Sequence, residues 1–104
     1  MRTTHSPVRE LRAPETLGLE SRSDFRRAGI ELLESLPEGD GTLVIDLTAT
    51  RAVDSAGLGV LMLVQRRAGE RRQTVVLRNA NEELRFLLAL TKLDDLFRLE
   101  VSYR

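Results

Sequence analysis

The sequence predicts a single α/β domain, a small mixed, mostly parallel β-sheet with crossover α-helices packed on it. Three observations predict it. The chain has 104 residues, enough for one modest hydrophobic core. Two short β-rich runs, residues 42–47 (TLVIDL) and 74–78 (TVVLR), are apolar almost throughout, as strands inside a parallel sheet are. Segments with helical periodicity alternate with these runs, which implies parallel pairing through crossover helices. Such crossovers are right-handed in nearly all known cases.

Residues 1–16 carry two of the three prolines and scattered apolar residues. They read as a leader, loose or an edge strand around Val8 to Arg12, with the domain proper at 17–104. Residues 22–36 read as an amphipathic helix, with Phe25, Ala28, Leu32, Leu33 and Leu36 on one stripe and Arg26, Arg27, Glu31 and Glu34 facing away. Ser23 is the expected N-cap, Asp24 suits the positive first turn, and Pro37 stops the helix. Residues 57–68 (GLGVLMLVQRRA) are apolar on most sides and then basic, which predicts a helix buried against the sheet. Residues 81–91 predict a third helix, capped by Asn81, with Glu82 and Glu83 in its first turn and Leu84, Leu87, Leu88 and Thr91 facing inward. A short turn and a last strand near Phe97–Val101 complete the chain.

Composition narrows the function. Sixteen basic and sixteen acidic residues cancel, so no broad field draws the chain toward nucleic acid or an anionic membrane. There is no cysteine, which excludes disulfides and thiolate metal sites. The one histidine, His5, lies in the leader and leaves no well-placed base for catalysis. Apolar runs are too short to cross a bilayer, and residues 1–20 lack the apolar centre of a signal peptide. The expected compartment is the cytoplasm, and no cofactor or metal is implied.

Between the first strand and the apolar helix stands Val53-Asp54-Ser55-Ala56-Gly57-Leu58-Gly59-Val60. In a parallel sheet, the strand-to-helix loop is where ligands and partners meet the domain. Ser55 is placed to be the N-cap. Two glycines in one helical turn cost roughly 1 kcal/mol each relative to alanine and ask for a reason, such as close approach of other backbone. Two readings follow. In one, Ser55 only caps and the glycines only pack. In the other, the Ser55 hydroxyl carries a phosphate, which the free amides and the helix dipole stabilise. A phosphoserine adds about −1.5 to −2 charges at neutral pH, enough to spoil an interface without unfolding a domain.

At these residues the chain resembles the sulfate transporter and anti-sigma factor antagonist (STAS) domain family. The resemblance covers roughly residues 20–100. It is carried by a strand ending in Asp46, by Val53 before Asp54-Ser55-Ala56-Gly57-Leu58-Gly59, by the buried helix, by the strand Thr74–Leu77 and by the Leu/Phe-rich segment Leu84–Phe97. The resemblance implies the antagonist branch: a non-enzymatic bacterial switch protein. Unphosphorylated, such a domain binds an anti-sigma factor that is also a serine kinase; phosphorylation of the serine at Ser55 switches it off and a phosphatase restores it. The implied partner surface comprises Ala52, Val53, Asp54, Ser55, Ala56, Gly57, Leu58 and Gly59, with Glu20 and Ser21. Where the family carries a Gly-Glu-Leu-Asp-like segment before its first helix, this chain has Gly18-Leu19-Glu20-Ser21, so that acidic contact is absent or moved to Glu20.

Other chemistries fit less well. A hydrolase needs G-x-S-x-G and a triad histidine, and both are missing. A nucleotide loop needs G-x-G-x-x-G or Gly-Lys-Ser/Thr, also missing. A receiver-like acidic site needs more than Asp46 and Asp54. The Arg66–Arg72 cluster suits a solvated helix end. Phe86 and Leu90 lie off the inner stripe of their helix and belong either to the core or to a partner or homodimer surface. The alternative within the family is a non-switching subunit or scaffold of a lipid-transport, transporter or stress-sensing complex; Asp54 with Ser55 favours the switch.

Overall fold

The structure, a computed structural model, describes residues 7–102. The elements in order are β1 (Val8–Arg12), β2 (Thr16–Leu17), α1 (Arg22–Glu34), β3 (Thr42–Asp46), β4 (Ala52–Val53), α2 (Ser55–Glu70), β5 (Thr74–Arg78), α3 (Glu82–Leu90), a 3-10 turn (Leu93–Leu96) and β6 (Arg98–Glu100). The main sheet has the order β1-β3-β5-β6, and each neighbouring pair is parallel. Residues 1–6 of the leader lie outside the described residues; 8–12 form an edge strand of this sheet.

The strand order advances in one direction, so crossovers of one hand lay every helix on the same face. Side chains alternate across a strand, and Leu43, Ile45, Val75 and Leu77 point to that face. They form one buried cluster with Phe25 and Leu33 of α1, Val60, Leu61, Val64 and Ala68 of α2, and Leu84 and Leu88 of α3. Burying a side chain of this size contributes roughly 1.5–3 kcal/mol, so this cluster dominates the stability. The opposite face holds Val44 and Val76 among charged residues, and Arg78 crosses it to meet Glu10 at 3.0 Å and Glu100 at 3.4 Å. Among the described residues no helix contributes buried side chains there, an arrangement less common for a parallel sheet than for an antiparallel one.

Several expected details are corrected. The first helix begins after Ser21, not Ser23. Its opening turn is set by the Gly18 carbonyl, which accepts from the Ser21 and Arg22 amides at 3.1 and 2.8 Å. The inner stripe of α1 is Phe25, Gly29 and Leu33, with Leu32 only partly buried. Gly29 sits where α1 crosses α2, since a Cβ there would lie 3.3 Å from a Val64 methyl carbon. Thr91 is exposed at the end of α3 rather than facing the core, while Asn81 caps that helix by accepting from the Leu84 amide at 2.8 Å. Phe86 and Leu90 are both 67% exposed and so are not core. The first strand-to-helix loop also contains structure that no sequence pattern marked: β4 pairs in parallel with β2 through Thr16↔Ala52 and Leu17↔Val53.

Candidate functional site

The β2–β4 pair fixes the entrance of α2. The Asp54 amide donates to the Leu17 carbonyl at 3.2 Å, which carries the pairing one residue beyond β4. Asp54 is extended (φ −91°, ψ −174°) and its carbonyl accepts the first intrahelical bond, from Leu58 at 2.8 Å. It is therefore the N-cap, and α2 starts at Ser55 rather than near Gly57. The expectation that Ser55 caps is corrected, and the reason is reach. The Asp54 carboxylate has two oxygens: Oδ1 accepts from the Gly57 amide at 2.9 Å and Oδ2 from the Leu19 amide at 3.3 Å. A hydroxyl at the next position, already helical, cannot join the first turn of α2 to the turn before α1.

These amides govern the charge of the cap. The Gly57 bond, above all, holds the Asp54 carboxyl below the usual carboxylate range; partial desolvation opposes it, and the Leu19 and Ala56 amides and the Arg22 charge add to the lowering. The clasp also explains two small residues. A Cβ at Gly18 would overlap Asp54 Oδ2, and a Cβ at Gly57 would overlap the Leu17 carbonyl oxygen. Gly59 differs: nothing lies within 4 Å of where its Cβ would be, so the expected packing role is corrected for this glycine.

Freed from capping, Ser55 is exposed at the first position of α2, and its hydroxyl makes no hydrogen bond among the described residues. It opens on a groove of 440 Å³ between α1 and α2, walled by Arg22, Ser23 and Arg26 on one side and by Ser55, Ala56 and Gly59 on the other, with Val60 and Leu63 also lining it. Arg22 and Arg26 are four residues apart and so share a face of α1. From sequence, Arg26 is expected only on the outer face of its helix and Arg22 has no expected role; their i, i+4 spacing beside the expected partner segment is the signal that marks them. On the other side of α1's first turn lies an acidic hollow with Glu20, Asp24 and Asp54. The first turn of α1 thus divides a basic groove, which Ser55 faces, from an acidic hollow.

The remaining expected residues fall into two groups. Ala52, Glu20 and Gly59 are exposed and Ala56 is half-buried, so these are accessible around Ser55. Gly57 is buried, and Val53 and Leu58 pack against the core. The Ser21 hydroxyl is engaged within the fold, accepting from the Gly18 amide at 3.1 Å and donating to the Thr16 carbonyl at 2.9 Å. Asp46 stands apart from Asp54. It lines a different cleft with Arg12, Thr48 and Arg78, and the Thr48 hydroxyl holds its carboxyl below the usual range. Among the described residues no group of three acidic or histidine side chains is placed to hold a metal ion, and no helix is long and apolar enough to cross a membrane.

A family model described as "Mlab, STAS domain" matches residues 4–100. No curated protein matches the sequence. Solved structures that share the fold include the following three. A Thermotoga maritima protein described as an anti-sigma factor antagonist has a TM-score of 0.75 at 24% identity, over 91% of this chain and 80% of that one. A sulfate transporter family protein from Wolinella succinogenes has a TM-score of 0.74 at 14% identity, over 93% and 80%. The anti-sigma factor antagonist SpoIIAA, in its unphosphorylated form, has a TM-score of 0.69 at 12% identity, over 99% and 86%.

Proposed function

Because the chain belongs to the STAS family, we propose that it is an anti-sigma factor antagonist whose partner is an anti-sigma factor with serine kinase activity, and that phosphorylation of Ser55 ends the interaction. The carrying observation is the Ser55 hydroxyl: exposed, unbonded among the described residues, and first in a helix that a neighbouring carboxylate already caps. A group that holds nothing in the fold can be modified without disturbing it.

Local chemistry supports the same reading. The amides of the first turn and the helix dipole favour an anion at this end of α2. Arg22 and Arg26 across the groove supply cations that attract the phosphates of a kinase-bound nucleotide and then accompany a phosphate on Ser55. A partner seated over Ser55, Ala56 and Gly59 would have to desolvate that phosphate, which costs far more in an interface than in water. The chain supplies a substrate residue and a docking surface, and a phosphatase resets it.

The test uses the full chain, an anti-sigma factor of the serine kinase type and ATP, followed by mass spectrometry. Phosphate on the peptide containing Ser55, absent in Ser55→Ala, is the expected result. Calorimetric titration should then show binding of the unmodified chain and at least a roughly tenfold loss for Ser55→Asp, about 1.4 kcal/mol. Equal affinity for the two forms would sink the switch.

A further inference from the structure

The two free edges of the sheet are built differently. On β1, three of the five residues, Arg9, Glu10 and Arg12, are charged. Such edges resist pairing with another chain. Along β6 and one residue on either side of it the sequence is Phe97-Arg98-Leu99-Glu100-Val101, apolar residues alternating with one cation and one anion. Leu99 is 40% and Val101 53% exposed, and Leu96, just before the strand, is 47% exposed.

The backbone of this edge has a definite phase. The Glu100 carbonyl accepts from the Asn79 amide at 2.8 Å, so Glu100 directs its polar groups inward. In a strand, the N–H and C=O of alternate residues point the same way. Arg98 therefore also bonds inward, and Phe97, Leu99 and Val101 present theirs outward.

We propose that this edge pairs with a second copy of the chain, antiparallel, about a two-fold axis at Leu99. Every element of the segment then meets its complement. Leu99 faces Leu99 of the second copy in a hydrogen-bonded pair. Phe97 faces Val101 in another, and Val101 faces Phe97 in a third. On the opposite face, Arg98 lies across from Glu100 and Glu100 across from Arg98, so two opposite-charge pairs form. Arg98 has no ion pair among the described residues, which leaves it free for one, and Glu100, which meets Arg78 of its own chain at 3.4 Å, would be shared between the two arginines. Closed symmetry of this kind makes a dimer and no fibre, since the β6 edge of each copy is consumed and the charged β1 edges left at either end resist pairing. Two four-stranded sheets become one of eight, and the grooves at Ser55 lie away from the join because β5 and β3 intervene. Five paired residues make an interface well below the standard size, so the dissociation constant should fall at about 10 μM to 1 mM.

Sedimentation velocity across that range tests it. The full chain should shift from monomer to dimer with concentration, and a mass that stays monomeric throughout would overturn the proposal. Leu99→Lys places a cation on the axis opposite its own copy and should raise the dissociation constant at least about tenfold. A dimer that survives Leu99→Lys unchanged would place the contact elsewhere, for example on Phe86 and Leu90, and would also overturn the proposal. A pair of variants separates charge from folding. Arg98→Glu and Glu100→Arg should each associate more weakly than the parent, and an equimolar mixture should recover the dimer through the opposite charges. Circular dichroism confirms that each variant is folded; failure of two folded variants to associate on mixing refutes the register.

Discussion

Gly57 and Gly59 stand two residues apart in one motif, yet alanine should act on them with opposite sign. At Gly57 the added methyl meets the Leu17 carbonyl oxygen and carbon, with a Val53 methyl carbon at 3.0 Å. A backbone atom cannot swing away as a side-chain tip can. Relief requires moving β2, two residues long, and with it the Asp54 amide bond to Leu17. Overpacking of this kind costs about 1–3 kcal/mol and a lost hydrogen bond about 1 kcal/mol. Better helix propensity returns at most about 1 kcal/mol. The net is a loss of about 1–3 kcal/mol. At Gly59 the methyl meets nothing, and only the propensity gain of about 0.5–1 kcal/mol remains.

Urea denaturation at fixed pH and calorimetry measure both. For a domain near 100 residues, 1 kcal/mol shifts Tm by roughly 4–8 °C, so Gly57→Ala should melt several degrees below the parent and Gly59→Ala a few degrees above it. A Gly57→Ala variant as stable as the parent, or a Gly59→Ala variant that is less stable, would refute the clasp geometry. One further result is expected: Gly59→Ala, though more stable, should bind the anti-sigma factor more weakly, because its methyl projects into the space beside Ser55. Unchanged affinity would remove Gly59 from the docking surface.

Three more outcomes follow from the geometry. Ser55→Ala should change stability by less than about 0.5 kcal/mol, since Asp54 does the capping; a loss near the 1 kcal/mol of a removed N-cap would restore the cap to Ser55. Asp54 and Asp46 both have carboxyls lowered in the folded state, so between the folded and unfolded values the unfolded chain binds more protons. Their stabilisation is complete above the ordinary carboxylate value of 3.8 and is lost as pH falls through the folded values; Asp54→Asn should flatten this acid limb, and an unchanged limb would show that the carboxylate charge is not used. Gln73 is buried, and its Nε2 donates to the carbonyls of Leu33, Leu36 and Pro37 at 2.9, 3.1 and 3.1 Å, closing the end of α1. Gln73→Leu removes three bonds at once, leaving each carbonyl only its second donor (the Leu36 amide, the Arg71 guanidinium and the Asp40 amide), and should cost about 1–3 kcal/mol in urea denaturation; a neutral result would mean that those donors and water replace the amide.

The sequence made some of this legible and hid the rest for physical reasons. β3 and β5 were readable because continuous apolar runs have few other fates, and α3 because Asn81 precedes two acidic residues and a leucine pattern. β2 and β4 were not, since a strand of two residues carries no period. The caps of α1 and α2 were each misplaced, by two residues and by one. In both cases adjacent residues were chemically suited to cap, and backbone outside the helix decided: the Gly18 carbonyl in the turn just before α1, and for α2 the Leu19 amide, 35 residues away. Gly57 and Gly59 look alike in sequence and differ only in what β2 brings near them. Gln73 carried no local signal, because its partners are 36 to 40 residues away.

The misplaced cap bears directly on how a switch can work here. Had Ser55 been the cap, its phosphate would have replaced a helix-starting bond, and modification would have been read partly as altered folding. With Asp54 in that position, the carboxylate holds the turn, and the hydroxyl is left free for the proposed phosphate. A phosphate at the first position of α2 gains about 0.3–1 kcal/mol from the helix end and pays a comparable repulsion to nearby solvated acids. The balance is small against a total stability of about 5–15 kcal/mol. Against a docked protein the same phosphate must shed water, at a cost of several kcal/mol. The proposed modification would therefore be expressed almost wholly in binding, so phosphorylated and unmodified chains should melt within a few degrees of each other while differing sharply in affinity.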